Sequence, residues 1–303
     1  MITLSEEPVR KLSAVDLGRA PSEEDVDREA SREGLISLIA DDDPILVTTE
    51  DLLDTYGGVI FTGAPGTGKS WYAGEIAIKL ANGREDLVRF VQFHPSYQYE
   101  DFVQGYVPTD AGKFELVPKH LMKMCEIARA NENENVVMVI DELSRADPGR
   151  VFGEALTYLE KSKRELEFDL AAGGRFSIPG NLIILATMNP LDRGVDEVDT
   201  AFDRRFAKIA LDPDPGVLES FLQSAGMEAD LIARVVRFFN HVNAQTRNNP
   251  FAAVGHTYFL GVSDADGLRR LWDHQLRFLF EKAYRIDSAG YDETEKRWQQ
   301  IFS

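Results

Sequence analysis

The stretch Gly63-Ala64-Pro65-Gly66-Thr67-Gly68-Lys69-Ser70 constrains this chain more than any other. Gly63, Gly68, Lys69 and Ser70 fill a pattern of two glycines separated by four residues and followed by Lys and Ser or Thr, the signature of a loop that holds a triphosphate. A triphosphate carries several negative charges that many donors must meet without side-chain bulk. Glycines let successive backbone N–H groups turn inward as an anion nest, and the helix that follows points its positive end at the same place. In such a loop Lys69 reaches the β- and γ-phosphates and Ser70 places its hydroxyl on Mg²⁺. The flanks agree with this reading. Val59-Ile60-Phe61 enters the loop as a strand, and residues 70–80 leave it with apolar positions at helical spacing.

Length and composition set the outer bounds. At 303 residues, 44% hydrophobic and 28% charged, the chain can build one large or two moderate domains with a real core. No apolar run approaches membrane-spanning length, and the first seven residues lack the basic-then-apolar form of a signal peptide, so the expectation is a cytoplasmic protein without a membrane segment. Its one cysteine, Cys125, excludes an internal disulfide and lies among Leu121, Met122, Met124 and Ile127, which predicts a buried structural thiol. A net charge of −18 argues against coating nucleic acid unaided. Residues 1–60 hold 15 Asp and Glu against 5 Lys and Arg, and form either a solvated lead-in or an acidic face for a basic partner.

Residues 1–21 show no sustained period and read as a loose arm. Ser22-Glu23-Glu24-Asp25 begins a capping-box-like pattern that predicts a helix over residues 22–40, stopped by Asp41-Asp42-Asp43-Pro44. A short helix over residues 49–56 follows, and Gly57-Gly58 breaks into the first strand. Leu46, Val47 and Tyr56, just ahead of the loop, are candidates to lie against a nucleotide base. Val88-Arg89-Phe90-Val91-Gln92-Phe93 reads as a strand, and the aromatic-rich residues 94–106 can be taken as a packed surface loop. A helix spans roughly residues 118–131.

Val136-Val137-Met138-Val139-Ile140 then runs into Asp141-Glu142. Five apolar residues in a row predict a parallel strand buried on both faces. Two adjacent carboxylates at its end are costly unless they meet a cation or water, and open α/β sheets place ligands there. Asp141 is therefore the candidate to hold Mg²⁺, largely through water, and Glu142 the candidate to polarise an attacking water; the alternative is two exposed acids at a strand end. Residues 149–161 read as a helix and residues 166–178 as a hairpin around Gly173-Gly174. Residues 181–188 form a further buried strand that delivers Asn189, which either holds the hydrolytic water or caps the strand. Arg204 and Arg205 precede a strand over residues 207–211. Asp212-Pro213-Asp214-Pro215 marks a boundary, and helical patterns fill the remainder, near residues 217–225, 229–246, 267–284 and 293–302. The expected division is an acidic arm and helix over residues 1–44, an α/β nucleotide-binding core over 45–212 and a helical lid over 213–303.

Together these residues resemble the AAA+ family, and within it the McrB branch, the nucleotide-driven motor subunits of modification-dependent restriction systems. The finer likeness rests on Val91-Gln92-Phe93-His94-Pro95-Ser96-Tyr97-Gln98-Tyr99-Glu100-Asp101-Phe102, on Met188-Asn189-Pro190-Leu191-Asp192-Arg193, which matches a Met-Asn-x-x-Asp signature, and on Gly255-His256-Thr257-Tyr258-Phe259. The resemblance covers about residues 45–285 and implies a three-layer α/β sandwich with a central, mostly parallel sheet, followed by an all-helical lid. It implies phosphate binding by residues 63–70, Mg²⁺ on Ser70 and Asp141, water activation by Glu142, a sensor role for Asn189, and Asp192 completing the branch signature. Arg204 or Arg205 would be a finger acting in trans on a neighbour's site, where a guanidinium stabilises transition-state charge. His256 would be a second sensor, or else a packed histidine beside Tyr258 and Phe259.

The resemblance also implies self-association into a ring, with a hexamer as the expected size, and a partner resembling the McrC nuclease, since no nuclease carboxylate cluster stands out here. The well-studied McrB proteins carry a modified-base-binding domain ahead of the motor. Residues 1–44 are too few and too acidic for that task, so DNA would be contacted mainly through partners. The nucleotide is ATP in most of the wider family and GTP in some members of this branch, and no base-reading residue decides between them. The competing expectation is a remodelling ATPase like the MoxR or dynein-related branch, acting on a protein partner.

Overall fold

A computed structural model of the protein describes residues 37–110, 112–191, 202, 204–247 and 249–303. The first helix, α1 (Pro44–Leu53), starts where the sequence suggested a stop. Asp43 Oδ1 accepts from the N–H groups of Ile45 and Leu46 at 2.8 and 3.3 Å, and Pro44 takes the first helical position, where its missing N–H is no loss. The acid-proline pair is thus a helix start, and the helix expected over 49–56 is this one, set earlier. Residues 37–40 are not helical, and the rest of the helix expected over 22–40 lies outside the described residues.

After α1 come β1 (Gly58–Thr62), α2 (Lys69–Leu80), β2 (Val88–Gln92) and the short α3 (Tyr99–Phe102). A two-stranded antiparallel ribbon, β3 (Gln104–Pro108) and β4 (Phe114–Pro118), leads to α4 (His120–Ala130) and β5 (Val136–Asp141). Two short helices, α5 (Pro148–Phe152) and α6 (Ala155–Tyr158), precede the small hairpin of β6 (Phe168–Asp169) and β7 (Arg175–Phe176). The strands β8 (Leu182–Met188) and β9 (Phe206–Ala210) complete the α/β part.

Five strands form one sheet in the order β2-β5-β8-β1-β9, every pairing parallel. The three central strands are the near-continuous apolar runs of the sequence and are buried along almost their whole length, as a sheet covered by helices on both sides requires. The edge strands β2 and β9 each expose two of their five residues.

Two departures from the sequence reading have physical causes. The aromatic stretch after β2 is core rather than surface. Phe93 stacks on Tyr97 at 4.9 Å between ring centres, Phe102 meets Phe152 edge-on at 4.7 Å, and Phe152 meets Phe202 at 5.6 Å. The helix expected over 149–161 is broken at Gly153, which takes φ 52° and leaves room for the Tyr99 ring, 2.9 Å from a Cβ built there. Tyr99 Oη donates to Glu154 Oε1 at 2.9 Å and holds the break in place.

Beyond β9 the chain crosses on Asp212-Pro213-Asp214-Pro215 into helices α7 (Pro215–Ser224), α8 (Ala229–Ala244), α9 (Ala265–Leu271), α10 (Arg277–Ala283) and α11 (Ser288–Gln299), with no strand among the described residues of this part. A π-helical turn, Trp272–Leu276, joins α9 to α10, so the single helix expected over 267–284 carries a bulge. Asp214 stands in extended conformation, and its Oδ1 accepts from the N–H groups of Gly216 and Val217 at 2.7 and 3.2 Å to start α7. Buried hydrophobic residues form two clusters, one running from Ile39 to Leu211 and one from Leu218 to Ile301. The second is centred on Trp272 and Trp298, stacked at 5.0 Å. No helix among the described residues is long and apolar enough to cross a membrane.

Candidate active site

Parallel pairing brings the ends of β1, β5 and β8 side by side at one edge of the sheet, and with them residues 63–70, Asp141, Glu142 and Asn189. The loop after β1 needs its glycines. Gly66 and Gly68 stand at φ 80° and 83°, in the left-handed region where a Cβ is penalised. Gly68 is the N-cap of α2 and supplies no side-chain cap to the first-turn N–H groups, the arrangement that suits an anion. Thr67 is buried and donates to Ala64 O at 3.0 Å, and Lys69 Nζ donates to the same carbonyl at 2.8 Å.

Ser70 Oγ donates to Asp141 Oδ1 at 2.8 Å, which joins the loop to the end of β5. Glu142 leaves the strand at φ 57° and ψ 46°, a left-handed conformation that costs a residue with a Cβ about 1–2 kcal/mol. Thr187, at the end of β8, donates to Asp141 Oδ1 and accepts from the Glu142 N–H at 3.1 Å. Glu142 Oε2 faces Arg145 Nε at 3.3 Å. Asn189 Oδ1 accepts from Leu191 N at 3.1 Å. Asp192, the last member of the signature after β8, lies outside the described residues.

The helical part closes over the loop from the other side. Gly255 N donates to Pro65 O at 3.2 Å and Thr257 N to Gly66 O at 2.9 Å, so backbone from residue 255 onward is strapped across the loop's outer carbonyls. His256 is 6% exposed, and its Nδ1 accepts from Asp214 N at 3.2 Å, which puts the proton of the neutral ring on Nε2, toward Gly68. Burial pushes its pKa below the usual histidine value, and the neighbouring Asp214 carboxylate pulls weakly the other way.

A cleft of about 790 Å³ opens between loop and helical part, with Ile45, Trp71, Tyr72, Val217, Phe221 and His256 among its walls. It has the size and apolar lining of a small-molecule site. The residues expected to meet a base do not line it. Leu46 is on the buried face of α1, Val47 is exposed, and Tyr56 belongs to a separate cavity near Arg164. The apolar wall comes instead from Trp71 and Tyr72 in the first turn of α2 and from Phe221 in α7, of which the first two read in the sequence only as helical spacing. Burial, and then Asp43 and Asp214, raise the pKa of Tyr72, so its hydroxyl stays protonated.

Arg204 and Arg205 are not part of this constellation. They precede β9, whose first residue pairs with Gly58 at the start of β1, and Arg205 O accepts from Gly57 N at 2.8 Å. The phosphate loop begins at the other end of β1, five residues of strand and roughly 17 Å away. Arg204 is exposed. Cys125 is buried in α4 with its thiol pKa pushed up to about 12, as expected of a structural cysteine.

Two oxygen ligands, the Ser70 hydroxyl and the Asp141 carboxylate, fit a hard cation such as Mg²⁺, which takes few protein ligands and completes its shell with water and phosphate. Among the described residues no group of three or more His, Cys, Asp or Glu is gathered for another metal.

Comparison with known proteins agrees with this geometry. Residues 58–206 match the AAA domain of the dynein-related subfamily. The chain is 30% identical over 233 residues to the "Type IV methyl-directed restriction enzyme EcoKMcrB subunit" of Escherichia coli (strain K12), covering 72% of this chain and 50% of that one. It is 28% identical over 188 residues to the "Type II restriction enzyme BsuMI component YdiS" of Bacillus subtilis (strain 168), covering 49% and 55%. The chain therefore spans about half the length of the curated relatives it matches. A parallel sheet whose strand ends gather a glycine-rich phosphate loop, an acid pair and a polar strand end, together with these likenesses, places the chain among the P-loop NTPases of the AAA family, in the dynein-related subfamily and related to McrB.

Proposed function

We propose that this chain is the hydrolytic motor of a ring, a hexamer by expectation, that turns over ATP, with GTP as the alternative, and drives a partner nuclease of the McrC kind in DNA restriction and defence against phage. The working unit is an α/β core over residues 45–212 and a lid over 213–303, a division supported by the two separate buried clusters. Residues 63–70 bind the phosphates, with Lys69 leaving the Ala64 carbonyl for the β- and γ-oxygens. Ser70 and Asp141 hold Mg²⁺, which when bound neutralises phosphate charge as the reaction proceeds. Glu142 orients and deprotonates the attacking water, and Asn189 holds that water against the γ-phosphate. The neutral His256 contributes an Nε2–H donor from the lid.

The observation that carries the ring is the position of Arg204 and Arg205 at the end of the strands opposite the phosphate loop of their own chain. A guanidinium there is too far from its own nucleotide to act on it, which supports a role on a neighbour's nucleotide in a head-to-tail ring. The partner nuclease and the DNA target rest on the likeness to the two restriction-enzyme relatives. The protein is expected to work in the cytoplasm.

The test is turnover with ATP and GTP side by side, in Mg²⁺. Lys69→Ala and the Arg204→Ala/Arg205→Ala double variant should each be inactive alone and regain a measurable share of turnover when mixed. Glu142→Gln should lose at least about a hundredfold in turnover while retaining bound nucleotide. A mixture that stays inactive although mass measurement finds mixed assemblies would overturn the trans assignment, and undiminished hydrolysis by Glu142→Gln would overturn the water activator.

A further inference from the structure

We infer that Thr187 is a positioning residue for the acid pair: its hydroxyl sets the orientation of Asp141 toward the divalent cation and the backbone posture of Glu142 toward the attacking water. The inference rests on the site reading above. Thr187 is 2% exposed at the end of β8, between β5 and β1, and touches neither nucleotide nor cation in that reading.

A hydroxyl has one proton to give. Thr187 gives it to Asp141 Oδ1, so toward the Glu142 N–H it can only accept, and both bonds have a fixed polarity. Asp141 Oδ1 also accepts from Ser70, so two hydroxyls from two different elements converge on one oxygen and fix the rotation of the carboxylate. Oδ2 carries no donor among the described residues and is the oxygen left to face a cation or its water. On the other side, Glu142 turns left-handed directly after the strand, and the Thr187 oxygen takes the amide that the sheet ladder no longer pairs. One side chain thus ties the metal-facing acid to the water-facing acid, and it does so from the strand that delivers Asn189 two residues later.

Valine has the shape and strand preference of threonine without the hydroxyl, and serine keeps the hydroxyl. In the full chain, Thr187→Val should lower kcat about 10-fold to 100-fold, the loss expected when a buried donor and acceptor are left unmade. It should weaken Mn²⁺ binding, read by electron paramagnetic resonance with a non-hydrolysable triphosphate present, by about tenfold. Nucleotide affinity in EDTA should stay at the wild-type value, because the hydrogen bonds of the Thr187 hydroxyl go to Asp141 and Glu142 and not to residues 63–70. Thr187→Ser should recover both turnover and Mn²⁺ affinity.

A Thr187→Val protein with wild-type Mn²⁺ affinity would overturn the inference, including the case in which only its melting temperature falls, since that is what a purely packing role gives. Should Thr187→Val not fold, Thr187→Cys, with a weak donor of similar size, takes its place under the same criteria. Asp141→Asn serves as the separate control: if it retains Mn²⁺ affinity and turnover, the reading of the site itself fails, whatever Thr187 does.

Discussion

Gly255 lies so close to Gly66 that a Cβ on Gly255 would fall 2.0 Å from the carbonyl carbon and oxygen of Gly66. The obstacle is backbone, which cannot rotate away, and the same segment donates Gly255 N to Pro65 O and Thr257 N to Gly66 O. Two carbonyls of the loop are thus engaged by the helical part. Gly255 itself stands at φ −75°, which alanine adopts freely, so a substitution there acts through contact alone. Gly255→Ala is expected to push the strap off the loop, at about 1–3 kcal/mol, and to weaken nucleotide binding about 10-fold or more. Titration with a fluorescent nucleotide measures it, and wild-type affinity would show that the loop holds its shape unaided.

The burial of His256 gives stability a pH dependence with a definite sign. Its folded pKa lies below the ordinary histidine value of about 6.5, so the unfolded chain takes up the proton first as pH falls. This contribution is fully present above 6.5 and is lost as pH falls through the lowered folded value. Protonation of Nδ1 also removes the acceptor for Asp214 N. The pKa of His120, lowered by burial and by nearby Arg89, Lys123 and Lys119, acts in the same direction. Melting temperatures measured between about pH 7.5 and 5.5 should fall with acidification, and His256→Gln should shallow the slope without abolishing it. An unchanged slope in that variant would remove His256 from the account.

Arg164 makes a different kind of prediction. Its guanidinium is buried and donates to Leu159 O at 3.0 Å, Gly57 O at 2.9 Å and Pro179 O at 3.3 Å, joining the end of the α6 region to the starts of β1 and β8. Burial lowers its pKa to about 10, leaving it charged at neutral pH. Arg164→Met should cost about 3 kcal/mol or more, because three carbonyls lose their donor at once. Arg164→Lys should recover little of it, since one ammonium nitrogen cannot span the fork. Urea midpoints of the two variants, at constant slope, report the difference, and a neutral Arg164→Lys would refute the argument.

The sequence revealed features whose physics is local. The runs 136–140 and 182–188 read as strands buried on both faces because nothing polar interrupts them, and the glycine turn at 173–174 read as a hairpin because only glycine suits it. That residues 63–70 and Asp141-Glu142 would meet at one end of the sheet was legible because each directly follows an apolar strand run. What stayed hidden depends on partners far along the chain. Gly153 breaks a helix where the Tyr99 ring packs, the aromatic stretch after β2 is buried because Phe152 and Phe202 receive it, and Gly255 matters because Gly66 lies beneath it. The β3–β4 ribbon escaped notice because its five-residue strands end in Pro108 and Pro118, which mimic loop punctuation. Thr187 is one hydroxyl in an apolar strand, and only the register against β5 gives it a task.

The crossing at residues 212–215 limits how the helical part can move. Proline fixes φ at 213 and 215, and each aspartate before a proline is confined to extended backbone, so two of the four residues contribute little more than ψ. Asp214 is further held by the start of α7 on its carboxylate and by His256 on its amide. The crossing is thereby left with few free torsions, and the imidazole is tied through Asp214 to a stiff joint rather than to a loose tether.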